Sequence, residues 1–161
     1  YVGHIIGATF IELDIHGKRF VFSGDIGRKE DWLMRPYQKP KIADVLFIES
    51  TYGARLHPEE DLMAKLRNIV HHTVEKGGPL IIPSFAVERA QTLMYLLWQL
   101  RKNDAIRDIP MIMDSPMAAH VLDVFHTHSS WHKLTAEECT QMCNQFHIVK
   151  SFKETWEVID V

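Results

Sequence analysis

The sequence predicts an α/β protein, a β-rich opening followed by a body in which short strands alternate with helices. Three observations carry this. Residues 8–22 alternate apolar and polar side chains about a central turn. From residue 45 onward, short continuous apolar runs alternate with stretches whose apolar residues recur every three or four positions. The 161 residues are 46% hydrophobic, 24% charged and 10% aromatic, ordinary for a soluble domain with a real core and unlike disordered or low-complexity chains.

In the opening, Ile11, Leu13 and Ile15 alternate with Glu12 and Asp14, His16-Gly17 supplies a turn, and Arg19 to Phe22 run back. Residues 23–42 carry Gly24, Gly27, Pro36 and Pro40 among charges and read as loop. Residues 45–48 are continuously apolar, the pattern of a strand buried on both faces. A helix is expected from Pro58, with Glu59, Glu60 and Asp61 in its first turn. Its apolar stripe would be Leu62, Leu66, Ile69, Val70 and Val74, and Lys76-Gly77-Gly78 would end it. Leu80 to Ile82 reads as a second buried strand. Ala86 to Lys102 reads as a helix with Ala90, Leu93, Leu97 and Leu100 on one face, and Met111 to Met113 as a third strand.

Ser115 and Pro116 open another helix as cap and first residue, and Thr135 with Glu138 is a capping-box start. Phe146 to Val149 is a strand and Thr155 to Val161 begins a final helix. Strands alternating with helices imply a parallel sheet with helices packed on it. A seam near residues 50–55 separates the two parts.

Composition also bounds function. A membrane helix needs roughly twenty apolar residues, and the longest uncharged stretches, residues 1–11, 77–87 and 90–100, fall well short. The two cysteines, Cys139 and Cys143, are too few for a disulfide framework, which points to a reducing, cytoplasmic setting. The net charge of −3 disfavours a wholly basic nucleic-acid-binding domain, leaving room for a local positive groove or for metal ions supplying the charge. The chain starts at Tyr1 and stops at Val161 in apolar pattern, so an internal piece of a longer protein is expected.

Several residues could carry chemistry. His4 and Asp25 lie beside glycines at the edges of expected strands, where a backbone can approach a ligand closely, although plain turn residues look the same. Glu49 follows the strand at 45–48, a place where α/β proteins set functional carboxylates and also turn caps. Ser84 could cap the helix after it and leave N–H groups for an anion, with Arg89 either facing that anion or solvated; Ser115 offers a second such junction. The histidines 126, 128 and 132 resemble part of a zinc cluster but have no carboxylate or cysteine close by in sequence to complete it. His71-His72 and the Tyr95–Trp98 pair read as structural.

Four segments in order, Gly-His-Ile-Ile-Gly-Ala (3–8), Phe-Ser-Gly-Asp-Ile-Gly-Arg (22–28), Ile-Glu-Ser-Thr-Tyr-Gly (48–53) and Ile-Pro-Ser-Phe-Ala-Val-Glu-Arg-Ala-Gln (82–91), resemble the β-CASP nucleases of the metallo-β-lactamase superfamily. Within that superfamily the wording around Glu49 resembles the RNA-processing branch, whose members include the nuclease subunit of pre-mRNA 3′-end cleavage machinery. The resemblance implies that residues 1–52 are the last part of the first segment of a metallo-β-lactamase αββα sandwich, and that 53–161 are a β-CASP domain, incomplete at its C-terminal end. It implies a metal ligand at His4, a bridging carboxylate at Asp25, and at Glu49 an acidic residue that orients a downstream acid histidine. Where many relatives have Gly-Arg, this chain has Glu88-Arg89.

The implied activity of the complete protein is hydrolysis of RNA phosphodiester bonds with two zinc ions, on single-stranded RNA lying in a cleft under the α/β body. The family's main His-x-His-x-Asp-His motif is absent, so this chain alone is expected to hold zinc incompletely or not at all and to be inactive. Ser84, Arg89 and Ser115 are the candidate substrate contacts, no membrane partner is expected, and homodimerisation of the complete protein stays open. The rival readings are a DNA-processing nuclease of the same superfamily, a catalytically inactive RNA-binding scaffold subunit, and a plain nucleotide-binding α/β domain. The last has neither GxGxxG nor a P-loop to support it.

Overall fold

The computed structural model describes residues 1–56 and 58–159. Two compact units emerge, Tyr1–His57 with His128–Lys133, and Pro58–Thr127 with Leu134–Val161.

In the first unit, β1 (Ile11–Ile15) and β2 (Lys18–Phe22) form the expected hairpin, antiparallel with Ile11 opposite Phe22 and Ile15 opposite Lys18. The turn works because His16 (φ 49°) and Gly17 (φ 75°) both take positive φ, the two-residue geometry whose twist matches the strands. Arg19 grips Asp14 across the pair with two hydrogen bonds of 2.8 Å. β3 (Val45–Phe47) then adds parallel to β2, pairing Phe20 with Val45 and Phe22 with Phe47, whose rings stack 4.6 Å apart. The order β1-β2-β3 makes β3 an edge strand.

Burial of residues 45–48 on both faces is therefore not what the structure shows. Leu46, Phe47 and Ile48 are all more than half exposed. The register puts Ile11, Leu13, Ile15, Phe22 and Phe47 on one sheet face, which remains open among the described residues. On the other face Val21 is buried, as are Val2, Leu33 and Met34 of the same unit. Tyr1 donates to the Trp131 carbonyl (3.0 Å) and packs edge-on against its ring, so residues 128–133 close this unit.

The second unit begins with α1 (Leu62–Lys76), which starts four residues later than Pro58 because Asp61 acts as its cap, accepting from Ala64 N at 3.0 Å. The acidic run thus precedes the helix instead of filling its first turn. Gly77 (φ 66°) ends it in the left-handed conformation. Leu66 and Val70 of its stripe meet Leu96 and Leu100 of α2 (Arg89–Lys102) and Ile106 in a buried cluster. His71 Nε2–H donates to the Ala105 carbonyl at 2.8 Å, a structural bond as its place in the helix suggested.

The face expected for α2 is only partly the buried one, since Ala90, Leu93 and Leu97 are half-buried and Leu100 alone of the four is buried. Gln91, Met94, Leu96, Trp98 and Leu100 are buried, because α2 packs against α1, α3 and α4 together. Trp98, 3% exposed, is core, edge-on to Tyr95.

β4 (Ile112–Asp114) and β5 (His147–Val149) pair in parallel, Ile112 with His147 and Asp114 with Val149. Between them run α3 (Pro116–Thr127), capped by Ser115 accepting from Ala118 N (3.2 Å), and α4 (Ala136–Cys143), opened by the full Thr135/Glu138 capping box. α5 (Phe152–Ile159) starts three residues before Thr155, and residues 160 and 161 of the expected helix lie outside the described residues.

Leu80–Ile82 forms no strand. It joins no ladder among the described residues and Ile81 is 80% exposed. Its apolar run, bracketed by Pro79 and Pro83, has strand composition but no pairing partner here. Cys139 is buried and Cys143 half-buried, both free thiols, with burial raising Cys143 to about 11. No described helix is long and apolar enough to cross a membrane.

Candidate metal and catalytic corner

Three sequence-derived candidates, His4, Asp25 and Glu49, come from separate segments of the first unit and are drawn to adjoining turns by backbone bonds. Gly27 N–H donates to the Val2 carbonyl (2.9 Å), tying the loop after β2 to the N-terminal segment. The approach is so close that a Cβ on Gly27 would sit 1.8 Å from Gly3 O and 2.6 Å from His4 N, a contact only glycine permits. Gly3 (φ 67°) turns under Arg35, whose carbonyl would lie 2.6 Å from a Cβ there. His4 is thereby fixed beside the loop that carries Asp25.

Glu49 follows β3 by two residues. Its Oε2 accepts from Thr51 N (2.9 Å) and its Oε1 from Ile26 N (3.2 Å), the residue after Asp25. The Thr51 bonds first, then the Ile26 amide, with an attraction to His4 added, hold its carboxyl below the usual carboxylate range. Glu49 is thus ionised at neutral pH and committed to the turn; a carboxylate with two amide partners still has lone pairs for a third. Its proton affinity and its position are set by the same bonds.

Asp25 and His4 are exposed, and among the described residues neither side chain makes a hydrogen bond or ion pair. An imidazole nitrogen and a two-oxygen carboxylate, unengaged and on adjoining turns, are the kinds of donor zinc takes. Among the described residues no group of three or more His, Cys, Asp or Glu is placed to hold a metal. The two donors fit zinc in kind and would be part of a ligand set, not the whole of one.

Sequence reasoning missed Ser23. It is 7% exposed, its Oγ accepts from Glu49 N (3.0 Å) and donates to the Gly24 carbonyl (2.7 Å), and its own N–H donates to the Phe47 carbonyl (2.9 Å). The signal was a small hydroxyl residue directly before Gly-Asp at the end of a strand.

The remaining candidates lie in the second unit. Ser84 does not cap α2. The helix starts five residues later, Glu88 occupies the cap position with no side-chain bond to the helix's first amides, and Ser84 Oγ donates to the Phe85 carbonyl. The cause is Glu88 itself, at φ 69° and ψ −57° with Arg89 N donating to Val87 O (2.9 Å). This is a γ-turn of the strained, positive-φ kind, and it delays the helix. Arg89 is exposed with its guanidinium 5.2 Å over the Phe85 ring. Ser115 caps α3 as expected.

Residues 90–159, spanning α2 to α5, match the Beta-Casp domain. Over these residues the chain is similar to the β-CASP family. It is 36% identical over 124 residues to ribonuclease TTHA0252 of Thermus thermophilus, covering 76% of this chain and 28% of that protein. It is 36% identical over 129 residues to cleavage and polyadenylation specificity factor subunit 3-I of Arabidopsis thaliana, covering 78% of this chain and 19% of that protein. It is 36% identical over 134 residues to endoribonuclease YSH1 of Candida glabrata, covering 80% of this chain and 17% of that protein. The chain therefore spans under a third of the length of these curated relatives. The mixed helices and small sheets described above are consistent with a Beta-Casp domain of the metallo-β-lactamase fold.

Proposed function

We propose that this chain is part of a zinc-dependent ribonuclease that hydrolyses phosphodiester bonds of single-stranded RNA in RNA processing or decay. The observation that carries the reading is the convergence of His4, Asp25 and Glu49 on adjoining turns of one unit, in a β-CASP chain whose relatives bear ribonuclease names. Residues 1–52 are assigned to the end of the first segment of the metallo-β-lactamase domain and 53–161 to the β-CASP domain. A cytoplasmic protein fits the free cysteines.

Bound zinc, two ions in the complete protein, would supply a hydroxide near neutral pH and neutralise phosphate charge. The residues of this chain do the holding. Asp25 would hold zinc through its carboxylate oxygens and His4 through a ring nitrogen. Glu49, ionised and fixed by two amides, keeps the Asp25 turn in register and offers its remaining lone pairs to a neighbouring histidine. Ser84, Arg89 and Ser115 are assigned to contacts with RNA phosphates, Arg89 carrying the charge. Two ligands are too few for a zinc pair, so the 161 residues alone would be inactive and the remaining ligands would come from other parts of the protein.

The test is cleavage of a labelled single-stranded RNA by the full-length protein with added zinc, beside its Asp25→Asn variant. Cleavage lost in a variant that unfolds like wild type is the expected result. Full activity in Asp25→Asn overturns the metal assignment. Cleavage of DNA alone favours a DNA-processing nuclease, and no cleavage of either favours an inactive scaffold subunit.

A further inference from the structure

We propose that Ser23 is a positioning residue for Asp25, the keystone of a hydrogen-bonded ring that presets the carboxylate before any ligand arrives. Asp25 hangs between two peptide groups. The first, Gly24–Asp25, is held through its carbonyl, which accepts from Ser23 Oγ at 2.7 Å. The second, Asp25–Ile26, is held through its N–H, which donates to Glu49 Oε1 at 3.2 Å. The ring closes because the same Ser23 Oγ accepts from the backbone N–H of Glu49 at 3.0 Å.

The peptide groups on both sides of Asp25 are thus each held by a side-chain hydrogen bond, one clamp neutral and one anionic. Gly24 (φ 59°) makes the ring possible by turning the chain within 3.1 Å of the Thr9 carbonyl, measured to a Cβ built there. Ser23 can hold the ring rigidly because it is itself anchored. It is 7% exposed, and its N–H donates to the Phe47 carbonyl at 2.9 Å, continuing the β2–β3 pairing.

One hydroxyl used as both donor and acceptor cannot be replaced by a group with only one function. Without it, the part-buried Glu49 N–H and the Gly24 carbonyl both lose their partner, and the Asp25 peptide is free to rotate. Outer hydrogen bonds of this sort orient ligands, and their loss costs about 10–100-fold in metal affinity or activity. The proposal rests on the zinc reading of Asp25, and its test separates the two.

The experiment compares full-length wild type with Ser23→Thr and Ser23→Val, which share one shape and differ in the hydroxyl, and with Ser23→Ala. Zinc retained against a chelator is measured by metal analysis, kcat and KM on single-stranded RNA are determined separately, and exchange of the Ile26 amide is followed. Expected are a fall of about tenfold or more in zinc retention and in kcat for Val and Ala, little change in KM, faster Ile26 exchange, and restoration of all three by Thr. Equal retention and kcat in every variant overturns the proposal, as does an equal loss in Thr and Val, which would make the effect one of packing. If Val and Ala do not fold, the Thr variant still decides, because loss of zinc in a folded Ser23→Thr protein overturns it. Wild type that neither binds zinc nor cleaves RNA fails the zinc reading instead, while Ile26 exchange still reports whether the ring exists.

Discussion

Replacing Gly27 by alanine tests the joint that brings His4 to Asp25. The new Cβ would lie 1.8 Å from Gly3 O, 2.1 Å from Gly3 C and 2.6 Å from His4 N. All three are backbone atoms, so no side-chain rotation relieves the clash. Gly27 is not among the positive-φ residues, so the cost is steric and not conformational. Relief requires the two segments to part, and with them the 2.9 Å bond from Gly27 N to Val2 O.

Overpacking costs about 1–3 kcal/mol and the lost bond about 0.5–1.5 kcal/mol. Together Gly27→Ala should destabilise the first unit by about 1.5–4.5 kcal/mol. Urea unfolding of the full-length protein, with hydrogen exchange at the Gly27 amide as the local reading, measures it. Gly78→Ala is the control, since no described atom lies within 4 Å of its Cβ and its φ is not positive. It should stay within about 0.5 kcal/mol of wild type. A Gly27→Ala protein as stable as the control, with Gly27 exchange unchanged, would refute the close approach and the His4 placement built on it.

Glu88→Gly and Glu88→Ala both remove the 3.1 Å bond from Thr92 Oγ1 to the Glu88 carboxylate, but only glycine relieves φ 69°. The glycine variant should be more stable than the alanine one by about 1–2 kcal/mol in urea midpoints, and equal midpoints would remove the strain argument. Thr135→Ala breaks the capping box of α4 and should cost about 1 kcal/mol, with faster exchange of the Glu138 amide as the check. The lowered Glu49 carboxyl makes stability depend on pH with a fixed sign. Its contribution is fully present above the ordinary carboxylate value of about 4.3 and is lost as pH falls through the depressed folded value. Unfolding midpoints and Ile26 exchange from pH 6 to 2.5 should converge on those of Glu49→Gln at the acid end, and a constant gap between the two proteins contradicts the assignment.

Local signals were legible in the sequence. The His16-Gly17 turn, the Ser115-Pro116 start of α3, the Thr135/Glu138 capping box and the Gly77 stop all depend on residues within four positions of one another. The helix starts at 58 and 86 were misplaced because the deciding events were specific. Asp61 took the cap ahead of the more obvious proline, and Glu88 accepted a backbone conformation that its residue type disfavours. The burial expected of residues 45–48 and 80–82 failed for another reason. Apolar composition states what a segment requires, while burial depends on what the rest of the fold lays over it.

The corner around Asp25 divides in the same way. His4, Asp25 and Glu49 were readable as candidates from their glycine neighbours and their places at strand ends, and the order of four short segments carried the resemblance to the β-CASP nucleases. Ser23 was not readable, because serine before glycine is an ordinary loop pair until β2 and β3 lie side by side. Only that parallel pairing carries Glu49 N to within 3.0 Å of Ser23 Oγ and Ile26 N to the Glu49 carboxylate, across more than twenty residues of chain. The sequence by itself determined the kinds of donor present and the local turns that expose them. The tertiary structure decided which of them meet, because hydrogen bonds of about 3 Å between distant segments follow from strand register and glycine contact, neither of which is written in any one stretch of residues.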